Sequence, residues 1–342
     1  MRFLRVLLVC AASLYAVATE DHIQKSVPAG SATRLTVNAE FGAIRVQPST
    51  GRTVEVEVYF RGTPPSNEEF DKMLRDFALN VSQQGSEVRV SGTFKDGWQA
   101  KPLFGFFSFC RQMHNGRCLI YSGWLREIEY RVTVPREFST DLATSGGSIS
   151  VGDLKGEVKA RTSGGSLNFG RIDGPVNGNT SGGSITLAGG KGRAVVHTSG
   201  GSIRIMEATG DVDASTSGGS ISIDRAAGRV NAHTSGGGIT VREVTGVIDA
   251  STSGGGVTAS LLAQPKEECR LSTSGGSINV TVGKDVHIYL DASTSGGSVS
   301  TDFPVPTSRD RHRHELRAPL NGGGPALRLH TSGGGISVRR AA

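Results

Sequence analysis

The tetrapeptide Thr-Ser-Gly-Gly occurs ten times in this 342-residue chain, and its spacing constrains the fold more than any other feature. The first six intervals are 18 residues long, the next two are 21 and the last is 37. A regular repeat of this kind predicts a solenoid, in which each repeat stacks on its neighbours. We number the copies as corners 1 to 10, which begin at Thr144, Thr162, Thr180, Thr198, Thr216, Thr234, Thr252, Thr273, Thr294 and Thr331.

Apolar residues alternate with polar ones after every corner. After corner 1 they are Ile149 and Val151, which lie on one face of a strand because successive side chains point to opposite faces. A second alternating pair, Val158 with Ala160, follows further along the same repeat. The first of these positions is apolar in every repeat: Ile149, Leu167, Ile185, Ile203, Ile221, Ile239, Val257, Ile278, Val299 and Ile336.

A second glycine recurs between the two strands of each regular repeat, as at Gly156 and Gly174. There the chain must turn at positive φ or pass close to a neighbouring backbone. Two strands and two corners per repeat predict an all-β, single-stranded β-solenoid: a flattened two-sheet β-helix with about 18 residues per coil. The triangular left-handed helix needs a hexapeptide apolar period, which these repeats lack.

The first 18 residues have the pattern of a secretory signal peptide. Arg2 and Arg5 precede a short apolar run, and Ala16-Val17-Ala18 offers a cleavage site. A lipid anchor at Cys10 is a weaker alternative, because Val9 stands where a small residue is usual. We therefore expect export to the periplasm, the cell surface or the medium, with no transmembrane segment after cleavage.

Residues 19–138 differ from the repeats and are predicted to form an N-terminal β-rich cap with a short helix and a disulfide loop. Residues 139–342 are predicted to form the repeat solenoid. Residues 39–46 resemble a degenerate coil at the front of the stack, and the cap is expected to cover its first sheet edge. Ser66 and Glu69 form a capping box before a helix whose apolar face holds Phe70, Met73, Leu74, Phe77 and Ala78.

The C-terminal part departs from the plain repeat. Residues 303–325, between corners 9 and 10, are rich in Pro, Arg and His and are predicted to form a surface loop. The final coil ends with Arg339 and Arg340, whose charges would discourage end-to-end growth of the stack.

Three cysteines remain after signal cleavage. Cys110 and Cys118 bracket a turn-forming Asn-Gly and are predicted to form a disulfide in an oxidising compartment. Cys269 is left over, and we interpret it as a buried thiol in preference to an intermolecular bridge.

Charge argues against nucleic acid as a partner. The chain has 37 basic and 31 acidic residues, and loss of Arg2 and Arg5 leaves a net charge of +4. That excess is far below the dense basic surface of a nucleic-acid-binding protein. No cofactor motif is present either, so we expect none.

Two segments are candidate partner-binding sites. Phe104, Phe106 and Phe107 belong to an aromatic cluster, predicted to lie in a loop, that either contacts a partner or fills the core of the cap. Arg311 and Arg313 belong to a cationic cluster that suits an acidic polysaccharide or lipid headgroup, or is simply solvated.

Catalytic and metal sites find little support. His312 and His314 lack further ligands at suitable spacing, so no metal is expected, and His197 and His233 are interpreted as surface residues. The serines of the corners lack the sequence of a nucleophile elbow. Asp153, Asp173 and Glu207 approach a column of carboxylates, but Gly189 and Arg225 interrupt it.

The written-out repeat, Thr-Ser-Gly-Gly-Ser-Ile-x-Val followed by glycine and a second Val-x-Ala strand, resembles the "putative adhesin" family of bacterial β-strand repeat proteins, a domain of unknown function. The resemblance spans Leu35 to Val338, including Val134-Pro135 before the first coil. It implies a secreted or envelope-exposed β-solenoid with an adhesive role and no established catalytic residues.

These observations predict an exported, non-enzymatic β-solenoid, an adhesin or cell-envelope scaffold that binds a surface glycan or envelope component. A carbohydrate-active β-helix enzyme and a passive structural or stress-response envelope protein are the alternatives.

Overall fold

The computed structural model describes residues 19–64, 66–95, 98–103, 106–112, 118–120, 125–305 and 314–341, with only the backbone given for residue 19 and within 98–120. The predicted signal peptide, residues 1–18, lies outside the described residues. The chain divides into two compact units, residues 1–22, 59–78 and 94–128, and residues 23–58, 79–93 and 129–342. The second unit therefore holds, besides the repeats, parts of the segment that was assigned to the cap.

One helix and 32 strands make up the described chain. In chain order they are β1 Thr19–Pro28, β2 Arg34–Ala39, β3 Ala43–Ser49, β4 Thr53–Gly62, α1 Asn67–Asp76, β5 Phe77–Gln84, β6 Glu87–Phe94, β7 Trp98–Leu103, β8 Phe106–Gln112, β9 Cys118–Ile120, β10 Leu125–Pro135, β11 Ser139–Thr144, β12 Ile149–Val151, β13 Leu154–Lys155, β14 Val158–Thr162, β15 Leu167–Asp173, β16 Val176–Thr180, β17 Ile185–Gly190, β18 Ala194–Thr198, β19 Ile203–Ala208, β20 Val212–Thr216, β21 Ile221–Ala226, β22 Val230–Thr234, β23 Ile239–Val244, β24 Ile248–Thr252, β25 Val257–Leu261, β26 Cys269–Thr273, β27 Ile278–Val282, β28 Ile288–Thr294, β29 Val299–Thr301, β30 Glu315–Leu320, β31 Ala326–Thr331 and β32 Ile336–Arg340.

The repeats form two parallel sheets, as the repeat predicted. Sheet A has the order β1-β4-β10-β3-β12-β15-β17-β19-β21-β23-β25-β27-β32-β29, and β13 pairs with β15 beside it. Sheet B has the order β30-β28-β31-β26-β24-β22-β20-β18-β16-β14-β11-β2-β6-β5. Between corners 2 and 7 each repeat contributes one strand to each sheet, which confirms the two-sheet solenoid.

The predicted apolar rows fill the space between the sheets. After corner 1, Ile149, Val151, Val158 and Ala160 are all buried. Their equivalents in the next coil pair with them in register, Leu167 with Ile149 and Val176 with Val158. Apolar burial along continuous rows drives the stacking, because a single coil has no interior of its own.

The threonine of each corner is buried as well, and its hydroxyl links one coil to the next. Thr162 Oγ1 donates a 2.9 Å hydrogen bond to the carbonyl of Gly147 in the preceding corner and accepts one from the N–H of Gly165 in its own corner. The donated bond recurs at all ten corners, with lengths of 2.7–2.9 Å. The buried hydroxyl is thereby satisfied, as burial of a polar group requires.

The second glycine of each corner is required by the close approach of the coils. A Cβ at Gly219 would lie 2.0 Å from the carbonyl oxygen of Gly201, and the equivalent distances at the other corners do not exceed 2.2 Å. The first glycine is less crowded: a Cβ at Gly218 would lie 3.3 Å from the nearest atom. Only the second position therefore excludes every side chain.

A degenerate coil precedes the first repeat, as predicted. β2 pairs with β11 and β3 with β12, so residues 34–49 form a front coil in the same two ladders. Gly42 takes the place of a corner glycine, since its carbonyl accepts a hydrogen bond from the Thr144 hydroxyl group. The two-strand coil therefore extends N-terminal to corner 1, although the tetrapeptide itself is absent there.

The predicted helix forms in the first unit, but it ends earlier than expected, at Asp76. The Ser66 side chain accepts the N–H of Glu69, and Phe70 and Met73 are buried. Phe77 and Ala78, placed on the helix by their spacing, instead begin β5, with Phe77 in extended conformation. Phe77 packs edge-to-face against Phe60 and Phe94, and these contacts stabilise its position at the start of β5.

The aromatic segment is a hairpin, which corrects the predicted loop. β7 and β8 are antiparallel, with Trp98 opposite Arg111 and Leu103 opposite Phe106. Residues 101–103 belong to β7 and residues 106 and 107 begin β8, so the segment contributes to two strands where a loop was expected. A third strand, β9, pairs with β8.

The last two coils are stacked out of chain order. β31 pairs with both β26 and β28, and β32 with both β27 and β29, so corner 10 lies between corners 8 and 9. Accordingly Thr331 donates to Gly276 of corner 8, and Thr294 of corner 9 donates to Gly334 of corner 10. The C-terminal coil is thus an inserted rung, and the prediction that Arg339 and Arg340 end the stack is wrong.

Part of the predicted surface loop between corners 9 and 10 is also a strand. β30 runs antiparallel to β28 at the edge of sheet B, and Arg317 forms an ion pair with Asp291 across it at 3.0 Å. His314 donates from Nδ1 to the carbonyl of Gly297 at 2.6 Å.

We expect Gly219→Ala to destabilise the protein by at least about 2 kcal/mol, because its methyl group would force adjacent corners apart. Gly218→Ala in the same corner is the matched control and should cost less than about 1 kcal/mol. Thermal and urea unfolding followed by circular dichroism measure both. Equal effects of the two substitutions would contradict the close-approach argument.

The inserted rung predicts which cysteine pairs can be joined. Ser272 and Ser293 both lie opposite His330, on adjacent strands of sheet B. Adjacent strands are about 4.8 Å apart, within disulfide reach, whereas two rungs are separated by about 9.6 Å. Ser272→Cys with His330→Cys should therefore form a disulfide under mild oxidation, and Ser272→Cys with Ser293→Cys should not. Mass spectrometry of peptide digests gives the answer, and the reverse result would indicate stacking in chain order.

Candidate functional site

A depression on the repeat stack, which we call the corner groove, lies on sheet B beside the first corners. Its volume is about 620 Å³. The residues lining it come from the front coil, from β6 and from corners 1 to 4: Asn38, Ala39, Glu40, Ser91, Thr93, Ala143, Thr144, Ser145, Arg161, Thr162, Ser163, Asn179, Thr180, Ser181, His197 and Ser199. Apart from two alanines, every one of these side chains is polar or charged.

The groove follows from one outward-facing position in the repeat, the residue before each corner threonine. The strand register aligns Asn38, Ala143, Arg161, Asn179 and His197 in a single column. Ala143 contributes only a methyl group, so the column dips there between longer neighbours. The exposed serines of the corners form one wall.

Arg161 is the cation of this groove that lacks a partner. Its neighbour Lys159 pairs with Glu157 at 3.0 Å, and Arg34 pairs with the same carboxylate at 3.3 Å. Arg161 is exposed and, within the part of the chain that the structure describes, has no ion pair or side-chain hydrogen bond. Its guanidinium therefore offers five donors to a ligand.

Glu40 is exposed at the edge of the same depression, and its partial burial raises the pKa of its carboxyl group above the ordinary value of 4.5. Asn179 donates from its amide to Asn177 at 2.8 Å, which fixes the orientation of that side chain. The groove therefore offers guanidinium, carboxylate, amide and hydroxyl groups within a few rungs, a combination suited to polyhydroxylated ligands.

The histidines of the column are surface groups that bond to the next rung. His197 Nδ1 lies 2.8 Å from Ser215 Oγ, and His233 Nδ1 lies 2.7 Å from Ser251 Oγ. Both rings are exposed, which agrees with their interpretation as surface residues. Nothing in this arrangement pairs either ring with a nucleophile and an orienting carboxylate, as a triad requires.

The carboxylates considered for an enzyme all line a second depression, at the other corner of the coils. There Asp153 accepts the backbone N–H of Arg171 at 2.7 Å, and Asp173 pairs with Lys191 at 2.7 Å. Glu207 lies 3.7 Å from Arg225. Each carboxylate is thus engaged by a donor, and no two of them share a proton or a hydrogen bond.

The predicted partner-binding residues lie outside the described residues or have only their backbone described. Phe104, Arg311 and Arg313 lie outside the described residues. Phe106 and Phe107 begin β8, but their side chains are not described, and the aromatic contact stays a prediction.

Of the predictions for the three cysteines, the structure bears on that for Cys269. Cys110 lies opposite Ile120 and Cys118 opposite Gln112, so the two are diagonal neighbours on antiparallel strands, and their disulfide stays a prediction. Cys269 is a buried free thiol, as predicted, and burial raises its pKa.

Sequence reasoning missed the corner groove. The signal was present in the residue before each corner threonine, where Ala143 interrupts a run of polar residues. Recognising it required knowledge that Asn38 and Ser91, which precede the repeats, continue the same ladder.

The fold and its surfaces define a parallel two-sheet β-solenoid built on glycine corners. The family model described as Toastrack DUF4097 matches residues 32–339, and the chain belongs to that family. No curated protein matches the chain.

Several solved structures resemble the chain at low identity. A "putative adhesin" from Parabacteroides distasonis is 8% identical with a TM-score of 0.35, and the match covers 94% of this chain and 97% of that one. A "putative lipid binding protein" from the same organism is 12% identical, with the same TM-score and the same coverage. A "putative adhesin" from Bacteroides fragilis is 12% identical with a TM-score of 0.27, and the match covers 94% and 97%.

Among the described residues, no helix is long and apolar enough to cross a membrane, since α1 has ten residues.

Substitution of Glu40 should reveal its environment through pH. Because burial raises its native pKa, the ionised carboxylate costs stability at neutral pH, and Glu40→Gln should raise the unfolding temperature there. The gain should shrink as the pH falls from neutral toward about 4.5 and be absent below that value, where the parent carboxyl is protonated in both the native and the unfolded state.

Glu87→Gln is the matched control with the opposite sign. Hydrogen bonds from Arg89 and Thr36 lower the pKa of Glu87, so its removal should cost stability at pH 7 and cost less in acid. Thermal unfolding between pH 3 and pH 7 tests the pair. A loss of stability for Glu40→Gln at neutral pH would contradict the assigned burial.

Proposed function

We propose that this chain is an exported, non-enzymatic adhesin or cell-envelope scaffold that binds a surface polysaccharide through the corner groove. The single observation that carries the proposal is Arg161, an exposed guanidinium without a partner in a rigid polar groove. The two cations beside it on sheet B, Lys159 and Arg34, are both paired with Glu157, so Arg161 is the one available to a ligand.

The groove chemistry favours a glycan over an apolar ligand. Asn38, Asn179 and the corner serines offer amide and hydroxyl groups, while Arg161 suits a carboxylate or sulfate on the sugar. A lipid tail would require an apolar lining, which the groove does not provide. The shallow, open shape also suits a chain that enters and leaves along the stack.

Rigidity supports the same role. The groove floor belongs to strands paired on both sides, and every corner beneath it is fixed by a buried threonine. Side chains on such a surface lose little further freedom when a ligand binds, which favours recognition. A preformed surface suits adhesion better than a role that depends on movement.

The non-enzymatic part of the proposal is supported by the engaged carboxylates at the second corner. A glycosidase needs an acid and a base or nucleophile facing one sugar. Asp153, Asp173 and Glu207 are each held by a donor on a neighbouring rung, which favours a structural role for them.

The test compares the chain from Thr19 onward with two arginine variants on a glycan array and a polysaccharide affinity column. Arg161→Ala should weaken retention of acidic glycans about tenfold, as expected for the loss of a charge-assisted hydrogen bond. Arg204→Ala is the control, because Arg204 is equally exposed but pairs with Asp224 on sheet A at 2.9 Å. Its retention should match that of the parent.

Other results would overturn the proposal. Absence of retention on every glycan, with equal thermal stability of the proteins, would favour a passive structural role. Release of reducing ends that Asp153→Asn or Asp173→Asn abolishes would establish the enzyme alternative. Retention unaffected by Arg161→Ala would move the binding surface away from the corner groove.

A further inference from the structure

A second depression, the Gly189 hollow, occupies the other corner of the coils on the same stack. Its volume is about 320 Å³. Its lining residues come from four successive rungs and from the strand that leads into them: Arg136, Asp153, Leu154, Lys155, Arg171, Ile172, Asp173, Gly189, Gly190, Lys191, Glu207 and Thr209. Both the position and the lining differ from those of the corner groove.

The hollow exists because one coil lacks a side chain where its neighbours carry a charge. The equivalent residues of the adjacent coils are Arg171 and Glu207, whereas this coil has Gly189. A Cβ at Gly189 would meet the Arg171 side chain at 3.2 Å, so the missing side chain opens space beside that arginine. Buried Leu154 and Ile172 form an apolar floor.

The carboxylates of the hollow are already engaged. Asp173 pairs with Lys191, Asp153 accepts a backbone N–H, and Glu207 faces Arg225 outside the hollow. Lys155 is also occupied, since it pairs with Glu137 at 3.0 Å. The charges of Asp173, Glu207 and Lys155 are therefore balanced by partners, whereas Asp153 keeps its negative charge.

Two guanidinium groups remain. The side chains of Arg136 and Arg171 have no ion pair or hydrogen bond to any residue that the structure describes, and both are exposed at the rim. The lining carries four cationic side chains, Arg136, Lys155, Arg171 and Lys191, and three carboxylates, so its net charge is +1. Guanidinium groups bind tetrahedral oxyanions through paired N–H donors.

We infer that the Gly189 hollow binds the phosphate or sulfate group of a small ester, held by Arg136 and Arg171, with the remainder of the ligand over the apolar floor. This site is independent of the glycan surface proposed above.

The experiment is a titration of ¹⁵N-labelled protein, from Thr19 onward, followed by NMR. The probes are inorganic phosphate, sulfate, glucose 6-phosphate and glucose. We expect saturable shifts of the Gly189 and Gly190 amides with the three anions and none with glucose. A larger affinity for glucose 6-phosphate than for phosphate would indicate that the floor contributes, and equal affinities would restrict the ligand to the oxyanion itself.

Variants separate the site from general charge attraction. Arg171→Ala and Arg136→Ala should each weaken binding about tenfold, while Arg204→Ala, a paired surface arginine, should leave it unchanged. Gly189→Glu should abolish binding, because it fills the hollow and supplies a partner for Arg171. The neighbouring coils carry charged residues at this position, so we expect the variant to fold, and its amide spectrum checks this directly.

The inference fails if no probe shifts the Gly189 and Gly190 amides in a saturable manner. It also fails if Arg204→Ala weakens binding as much as Arg171→Ala does, since that result would indicate attraction to net charge. Loss of anion binding with intact glycan retention, or the reverse, would separate this site from the corner groove.

Discussion

The structure depends on one hydrogen bond, from a buried threonine hydroxyl to the glycine carbonyl of the preceding corner. It brings the corners so close that a side chain on the second glycine is excluded, and it satisfies polar groups that would otherwise be buried without partners. Because every corner makes the same contact, corners are interchangeable as neighbours. That equivalence permits corner 10 to lie between corners 8 and 9, where it makes the bonds of an ordinary rung.

The two candidate binding surfaces arise where the sequence departs from the repeat. Ala143 shortens one outward column and opens the corner groove, and Gly189 removes a charge from another and opens the second hollow. In the second place Arg171 lacks a carboxylate partner, whereas the equivalent Arg225 pairs with Glu207. A rigid scaffold makes such local changes useful, because the neighbouring rungs do not collapse into the space.

Much of the fold could be predicted from the sequence because the physical constraint repeats. Alternating apolar residues and paired glycines fixed the strands and corners, and the start of α1 followed from Ser66 and Glu69. The order of the last rungs could not be predicted, because identical corners fit one another equally well in any order. The groove was missed for a related reason: Asn38 and Ser91 belong to the ladder without carrying its motif.

Hydrogen exchange at the second glycine of each corner measures directly whether the buried threonine hydroxyl holds that corner in place. Amides in exposed corners usually exchange quickly, whereas amides bonded to a buried hydroxyl exchange only when the rung opens. We expect the amides of Gly165, Gly183, Gly201 and Gly219 to exchange as slowly as the strand amides of their own coils. Exchange at the rates of unstructured peptides, with the neighbouring strands still protected, would contradict it.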